Sequence, residues 1–153
     1  MLHKMRREDR QLSCDACIKV IAENNMGILS LNSTEEYPYG VPLNYMYHEG
    51  AVYFHCAKEG RKLELISQNP KVCFAIVGKN EIIPGEFANN YKSVMIFGSI
   101  EIISGDKLKY KLLAQLGESF GCEPAMLDRY IMKYIDACHV LKLDIHHISG
   151  KAR

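Results

Sequence analysis

Apolar residues recur along this chain with two periods, and the switches between them mark its elements. Over Asp15–Glu23, Ile18, Val20 and Ile21 follow helical spacing. Ser13 or Asp15 can cap the start, and Asn24-Asn25-Met26-Gly27 is a stop signal, so a helix is expected within residues 14–25. The run Gly27–Asn32 then reads as a short strand, and Thr34-Glu35-Glu36 as a turn. Tyr37–Tyr47 is rich in aromatic and β-favouring residues. His48-Glu49-Gly50 turns the chain into Ala51–Ala57, so residues 37–57 read as a β-hairpin. Pro38 and Pro42 cannot donate to a ladder, which puts them at an edge, a bulge or a site where one strand face is unpaired.

The second half follows the same logic. Glu59–Ser67 predicts a short helix that stops before Asn69-Pro70. Lys71–Gly78 is a continuous apolar run, expected to be a strand buried on both faces. Residues 79–91 read as a loop. Lys92–Ile103 is another strand, and Gly98 inside it suggests a bulge or bend. Ser104 can cap a helix reaching Phe120, with Leu108, Leu112, Leu113 and Leu116 on one face. Pro124 suits the start of a further helix over Ala125–Ala137, so helices occupy about residues 105–137. A closing strand over 138–147 alternates, with Leu141, Leu143 and Ile145 on one side and Lys142, Asp144 and His146 on the other. By the same alternation, His146 and His147 point to opposite faces. About six strands joined by hairpins and short links predict a mainly β fold with peripheral helices, an antiparallel barrel.

Composition narrows this picture. With 153 residues, the chain has room for one domain spanning 1–153. Lys+Arg is 19 and Asp+Glu is 18, a formal net charge of +1, so no global field draws in nucleic acid or an anionic membrane. No run of about 20 apolar residues spans a bilayer. The opening MLHKMRREDRQLS lacks the apolar stretch of a secretory signal, which predicts a cytoplasmic protein. The six cysteines are therefore expected to be reduced and mostly buried. Cys14-Asp15-Ala16-Cys17 lacks the second pair that zinc wants and the preceding strand that a thioredoxin-like motif wants, so it reads as incidental.

The stretch Tyr53–Leu63 carries the clearest chemistry. It runs from a strand end through Gly60 into a helix start, and Lys58, Arg61 and Lys62 cluster there. Helix N-termini offer N–H donors and positive dipole to a phosphate; arginine adds a bidentate fork and lysine a point charge. The alternative is a solvated basic turn neutralised by Glu59. His55, flanked by Tyr53-Phe54, suits a proton donor, a metal or haem ligand, or a hydrogen-bonding core histidine. No nucleophile elbow, Walker loop or dinucleotide fingerprint is present.

The blocks PYGVPLNY (38–45), YFHCAKEGRKLELISQNPKV (53–72), YKSVMIFGSIEII (91–103) and ISGKA (148–152), in this order, resemble the nitroimidazole-resistance (Nim) proteins. These belong to the pyridoxamine 5′-phosphate oxidase-like, FMN-binding split barrels. The resemblance implies a six-stranded antiparallel split β-barrel and a homodimer with flavin at the subunit interface. It implies FMN, with FAD possible, and a flavin-dependent oxidoreductase reducing a nitroaromatic or related small-molecule acceptor. Carried onto this chain, Val41, Pro42, Leu43, Asn44 and Tyr45 line the isoalloxazine and ribityl. His55, Cys56 and Ala57 flank the phosphate, Arg61 and Lys62 bind it beside Lys58, and Ser93 approaches the ring. His55 is then the catalytic candidate. The alternatives are a non-catalytic flavin- or haem-binding barrel, with His55 as axial ligand, or a flavin reductase. True pyridoxamine phosphate oxidases carry a Trp-containing end and an Arg-x-His motif; this chain has no Trp and ends LKLDIHHISGKAR, so vitamin B6 oxidation is not expected.

Overall fold

The computed structural model describes residues 4–33 and 37–153. In chain order its helices are α1 (Cys14–Ala22), α2 (Arg61–Gln68), α3 (Asp106–Ser119) and α4 (Pro124–Tyr134). Its strands are β1 (Met26–Leu31), β2 (Tyr39–Asn44), β3 (Met46–His48), β4 (Ala51–Ala57), β5 (Lys71–Ile82), β6 (Asn89–Ile102) and β7 (Cys138–Ala152). They form one antiparallel sheet ordered β2-β1-β5-β6-β7-β4-β3. β2 and β3 stand at opposite ends of that order, yet only Tyr45 separates them in sequence. The sheet must therefore curl until its two ends meet. They meet without pairing, which makes the barrel split, the class the sequence implies.

Tyr45 is why there are seven strands and not six. Its side chain is 2% exposed, and its hydroxyl donates to the Ile21 carbonyl at 2.7 Å. Its N–H donates to Asn25 O at 2.9 Å. This inward anchor breaks the long 37–47 segment in two. The expected 37–57 hairpin is accordingly corrected. Only β3 returns onto β4, while β2 pairs with β1, Leu29 opposite Val41.

The barrel interior collects alternate residues from each strand. Leu29, Phe74, Ile76, Val94, Ile96, Val52, Phe54, Leu141 and Leu143 are all inaccessible to solvent. α1 contributes Cys17, Val20 and Ile21 to this core, and α2 contributes Leu65 and Ile66. β5 is not buried on both faces as expected: Val72, Phe74 and Ile76 point inward, whereas Val77 on the other face is 61% exposed. The expected 79–91 loop is mostly ladder, since β5 and β6 extend to a turn between Ile82 and Asn89. Asn80 pairs with Tyr91 beyond a register shift.

At α1, Ser13 caps as the sequence suggests, its Oγ accepting from Ala16 N at 3.3 Å. α3 starts one residue later than the Ser104 cap implied. Its N-cap is Gly105, at φ 91°, where a side chain would be strained. Pro124 does open α4. α3 lies over the outer side of β4, burying Leu112 and Leu116 against Ala51, Tyr53 and Val140. The Thr34–Glu36 turn lies outside the described residues.

Gly98 sits at a bulge, as expected. The register shifts between Phe97 and Gly98, and a Cβ on Gly98 would lie 1.9 Å from the Asp144 carbonyl oxygen. Phe97 faces His147 and Gly98 faces Ile145, so His146 is the extra residue. The alternation of the closing strand is reset there. His146 and His147 therefore open onto one outer cleft instead of opposite faces, and His146 Nε2 lies 3.2 Å from Ser99 Oγ.

Candidate functional site

The fold divides the twelve candidate residues into two groups, each with members that face outward and members held in or against the core. Val41 and Leu43 on β2 pack partly buried against the core, and Tyr45 is buried in it. Pro42 and Asn44 face outward. Across the sheet Pro42 stands opposite Ile28, which stands opposite Ala75 and then Met95; Asn44 stands opposite Met26. Ser93 faces Val77 on this same outer surface. Met26, Ile28, Val77 and Met95 make it apolar and leave it 38–61% exposed.

The other group sits where β4 runs out. Cys56 is buried in the core, while His55 and Ala57 point outward with Tyr53. Lys58 is exposed, and its charge contributes to lowering the His139 pKa, behind burial and Lys109. Gly60 follows at φ 121°, ψ 163°, a conformation few side chains tolerate. It provides no side-chain cap, and its carbonyl accepts from Leu63 N at 2.9 Å to close the first turn of α2. Arg61 and Lys62 open that turn, both half-buried. Arg61 Nη1 pairs with Glu64 Oε2 at 3.1 Å.

Charge and burial set the protonation states here. Burial lowers the His55 pKa, and Lys62 lowers it further, so the imidazole is neutral at pH 7. Burial raises the Cys56 thiol above its usual value; Lys62 opposes this and Cys138 adds to it. The thiol is thus inert and neutral. The α2 start, with two cations and the positive end of a helix beside open space at Gly60, fits a phosphate monoester.

No motif in the sequence marks a cavity beside this turn. About 710 Å3 of space lies between α3, α4 and the end of β4, with His55 in its wall. Leu113, Phe120, Met126, Tyr130 and Tyr134 make the lining apolar, with Cys122 and Cys138 at its edges. Lys109, 8% exposed, donates to the Ile135 carbonyl and pins the chain that closes one side. The available signal was excess apolar character on α4. Met126, Tyr130, Met132 and Tyr134 stay 45–71% exposed and exceed what one buried stripe needs. The cavity does not reach β2 or Ser93 within one chain. Among the described residues, no group of three or more His, Cys, Asp or Glu is placed to hold a metal ion. No described helix is long and apolar enough to cross a membrane.

The family model for pyridoxamine 5′-phosphate oxidase matches residues 13–152. The chain belongs to this family. No curated protein matches it. Among solved structures, the chain is similar to the flavocytochrome Anf3 of Azotobacter vinelandii, with a TM-score of 0.83, 20% identity and coverage of 99% of this chain and 72% of that one. It is similar to the FAD and heme binding protein of Mycobacterium smegmatis, with a TM-score of 0.75, 18% identity and coverage of 94% and 73%. A candidate 5-nitroimidazole antibiotic resistance protein of Bacteroides thetaiotaomicron VPI-5482 matches with a TM-score of 0.73, 19% identity and coverage of 92% and 85%. At these identities the likeness is one of fold, and family membership rests on the model match.

Proposed function

We propose that this protein is a flavin-dependent oxidoreductase that reduces a nitroaromatic or related small acceptor. The observation that carries this reading is the pair of cations at the start of α2, close enough to His55 for the Lys62 charge to act on it. Arg61 and Lys62 hold the flavin phosphate, FMN or the corresponding part of FAD, with Lys58 nearby. When bound, the flavin supplies the electron transfer. The rest of the work falls to the chain. Cys56 and Ala57 shape the strand end beside the phosphate. Pro42 and Asn44 offer an outward surface for the ring, with Val41, Leu43 and Tyr45 fixing their strand from the core side. His55, open to the apolar cavity, moves a proton to the acceptor held there.

A second copy completes the site. Ser93, Pro42 and Asn44 share the exposed apolar outer face with Met26, Ile28, Val77 and Met95, which suits coverage by a second barrel. The absorption spectrum of the purified protein, with mass identification of whatever is released on denaturation, tests the cofactor. A two-band flavin spectrum yielding FMN or FAD supports the reading. Colourless protein that takes up neither flavin overturns it. Light scattering on the eluting protein tests the dimer.

One observation favours a second reading. The cavity is apolar, of a size suited to a large planar ring, and walled by a single imidazole kept neutral by its surroundings. A haem with His55 as axial ligand fits that description, and two of the similar structures are a flavocytochrome and an FAD and heme binding protein. A Soret band lost in His55→Ala supports it; a flavin spectrum that stays free of haem on haem addition removes it.

A further inference from the structure

We propose that Cys14 and Cys17 form a dithiol modification site, converted reversibly to an intramolecular disulfide by low-molecular-weight disulfides such as oxidised glutathione. The two thiols sit three residues apart at the start of α1, with contrasting environments. Cys14 is the first helical residue and exposed, whereas Cys17 is 2% exposed. They are close enough to interact electrostatically. An accessible thiol one turn before a sheltered partner is the arrangement that lets one cysteine attack and the other resolve.

The geometry permits closure with little movement. Helical residues three apart hold their Cβ atoms about 5–6 Å apart, and a disulfide needs about 3.5–4.5 Å. Cys17 is the fixed member, its N–H donating to Ser13 O at 3.0 Å. Its sulfur occupies a notch left by Gly150, where a Cβ would lie 2.4 Å from Sγ. Cys14 belongs to the first turn, whose N–H groups have no acceptor one turn back, so it can move. Cys56 and Cys138 also lie close enough to interact across β4 and β7, but Cys56 is buried and Cys138 is only partly exposed, so that pair lacks the exposed attacking thiol that Cys14 supplies.

The chemistry balances in two exchanges. The Cys14 thiolate attacks one sulfur of oxidised glutathione; that S–S bond breaks, and one glutathione leaves as thiolate and takes the proton Cys14 lost. Cys17, on losing its proton, attacks Cys14 Sγ, breaks the mixed disulfide and releases the second glutathione. Two protein thiols give up two electrons and two protons, and one oxidised glutathione becomes two reduced ones. The bond would tie Cys14 to a sulfur lodged against Gly150. Gly150 O accepts from Leu12 N at 3.0 Å and Gly150 pairs with Val94, the neighbour of Ser93, so the change reaches the outer sheet face.

One tryptic peptide, Gln11–Lys19, contains both residues, and no other cysteine shares it. The full chain is equilibrated anaerobically in glutathione buffers of graded ratio, acid-quenched, alkylated, digested and weighed. The expected peptide loses two hydrogens and takes no alkyl group as oxidised glutathione rises, and takes two after reduction. Mass action spreads the transition from a tenth to nine tenths over about a hundredfold in [GSH]²/[GSSG]. Cys17→Ser should stop at a glutathione adduct on Cys14, and Cys14→Ser should leave the buried Cys17 thiol free of adducts. Should Cys17→Ser fail to fold, Cys14→Ser, altered at an exposed position, still carries the comparison. A wild-type peptide that is doubly alkylated at every ratio, that stops at the glutathione adduct, or that links to another cysteine peptide overturns the proposal. None of these readouts depends on flavin.

Discussion

The hydroxyl of Tyr45 donates to the main-chain carbonyl of Ile21 at 2.7 Å, joining the residue between β2 and β3 to the end of α1. Burial holds the phenol far above its usual pKa, so it is a permanent donor. The Tyr45 ring also meets Phe74 edge-on at 5.2 Å. Tyr45→Phe keeps that ring contact and leaves the Ile21 carbonyl short of a partner. Leaving a buried acceptor unsatisfied costs about 1–3 kcal/mol. The urea midpoint should fall by that free energy divided by the m-value, with the m-value itself unchanged. An unchanged midpoint would mean that water reaches the carbonyl.

Gly98 lets the bulged β7 approach β6. Any side chain there meets the Asp144 carbonyl at 1.9 Å, and that partner is backbone, not a flexible side-chain tip. Gly98→Ala should therefore destabilise by about 3 kcal/mol or more, at the upper end of overpacking. It should also disturb the His146–Ser99 contact, because the bulge positions both. Denaturant melts check the first expectation and histidine NMR shifts the second.

These two residues also indicate how far local pattern carries. Gly98 announced its bulge, because a glycine inside a strand has few other uses. The bulge's consequence for His146 and His147 was not legible, since it depends on which residue of the partner strand is left over. Tyr45 was equally opaque. An aromatic in a β-rich run reads as strand, and only the distant carbonyl of Ile21 turns it inward. Val77 misled for a related reason. A continuous apolar run resembles a doubly buried strand, but here the second face is the exposed outer surface shared with Met95. The basic turn at Lys58–Lys62 was legible because its parts are contiguous. The cavity beside it was not, because α3 and α4 build it from about sixty residues further along the chain.

Arg61 and Lys62 differ in what they are free to give. Arg61 already holds Glu64 at 3.1 Å. A phosphate must share or replace that contact, so Arg61→Ala should weaken flavin binding less than Lys62→Ala. Charged hydrogen bonds contribute about 1.5–3 kcal/mol each. The double variant should then lose on the order of a hundredfold to ten-thousandfold in affinity, read by flavin fluorescence quenching. Glu64→Gln should tighten binding slightly, since an exposed ion pair is worth about 0–1 kcal/mol. Full flavin occupancy in the double variant would remove the phosphate from this turn.

Lys62 also acts on His55, and that coupling has a sign that pH can read. Burial lowers the imidazole pKa first and the Lys62 charge lowers it further, so the folded chain binds this proton less readily than the unfolded one. The stability tied to neutral His55 is fully present above the ordinary value of 6.5 and is lost as pH falls through the folded pKa. His55→Gln should flatten that acid limb in urea midpoints measured against pH. Lys62→Ala should raise the His55 pKa in an NMR titration of the flavin-free chain while leaving it below 6.5, because burial remains. If His55 supplies the proton during turnover, acceptor reduction at saturating flavin should quicken as pH falls through its pKa. Lys62→Ala should then carry that limb to higher pH, and His55→Ala should abolish it while leaving flavin bound. A limb that survives His55→Ala would assign the proton to another group and leave His55 a wall of the cavity.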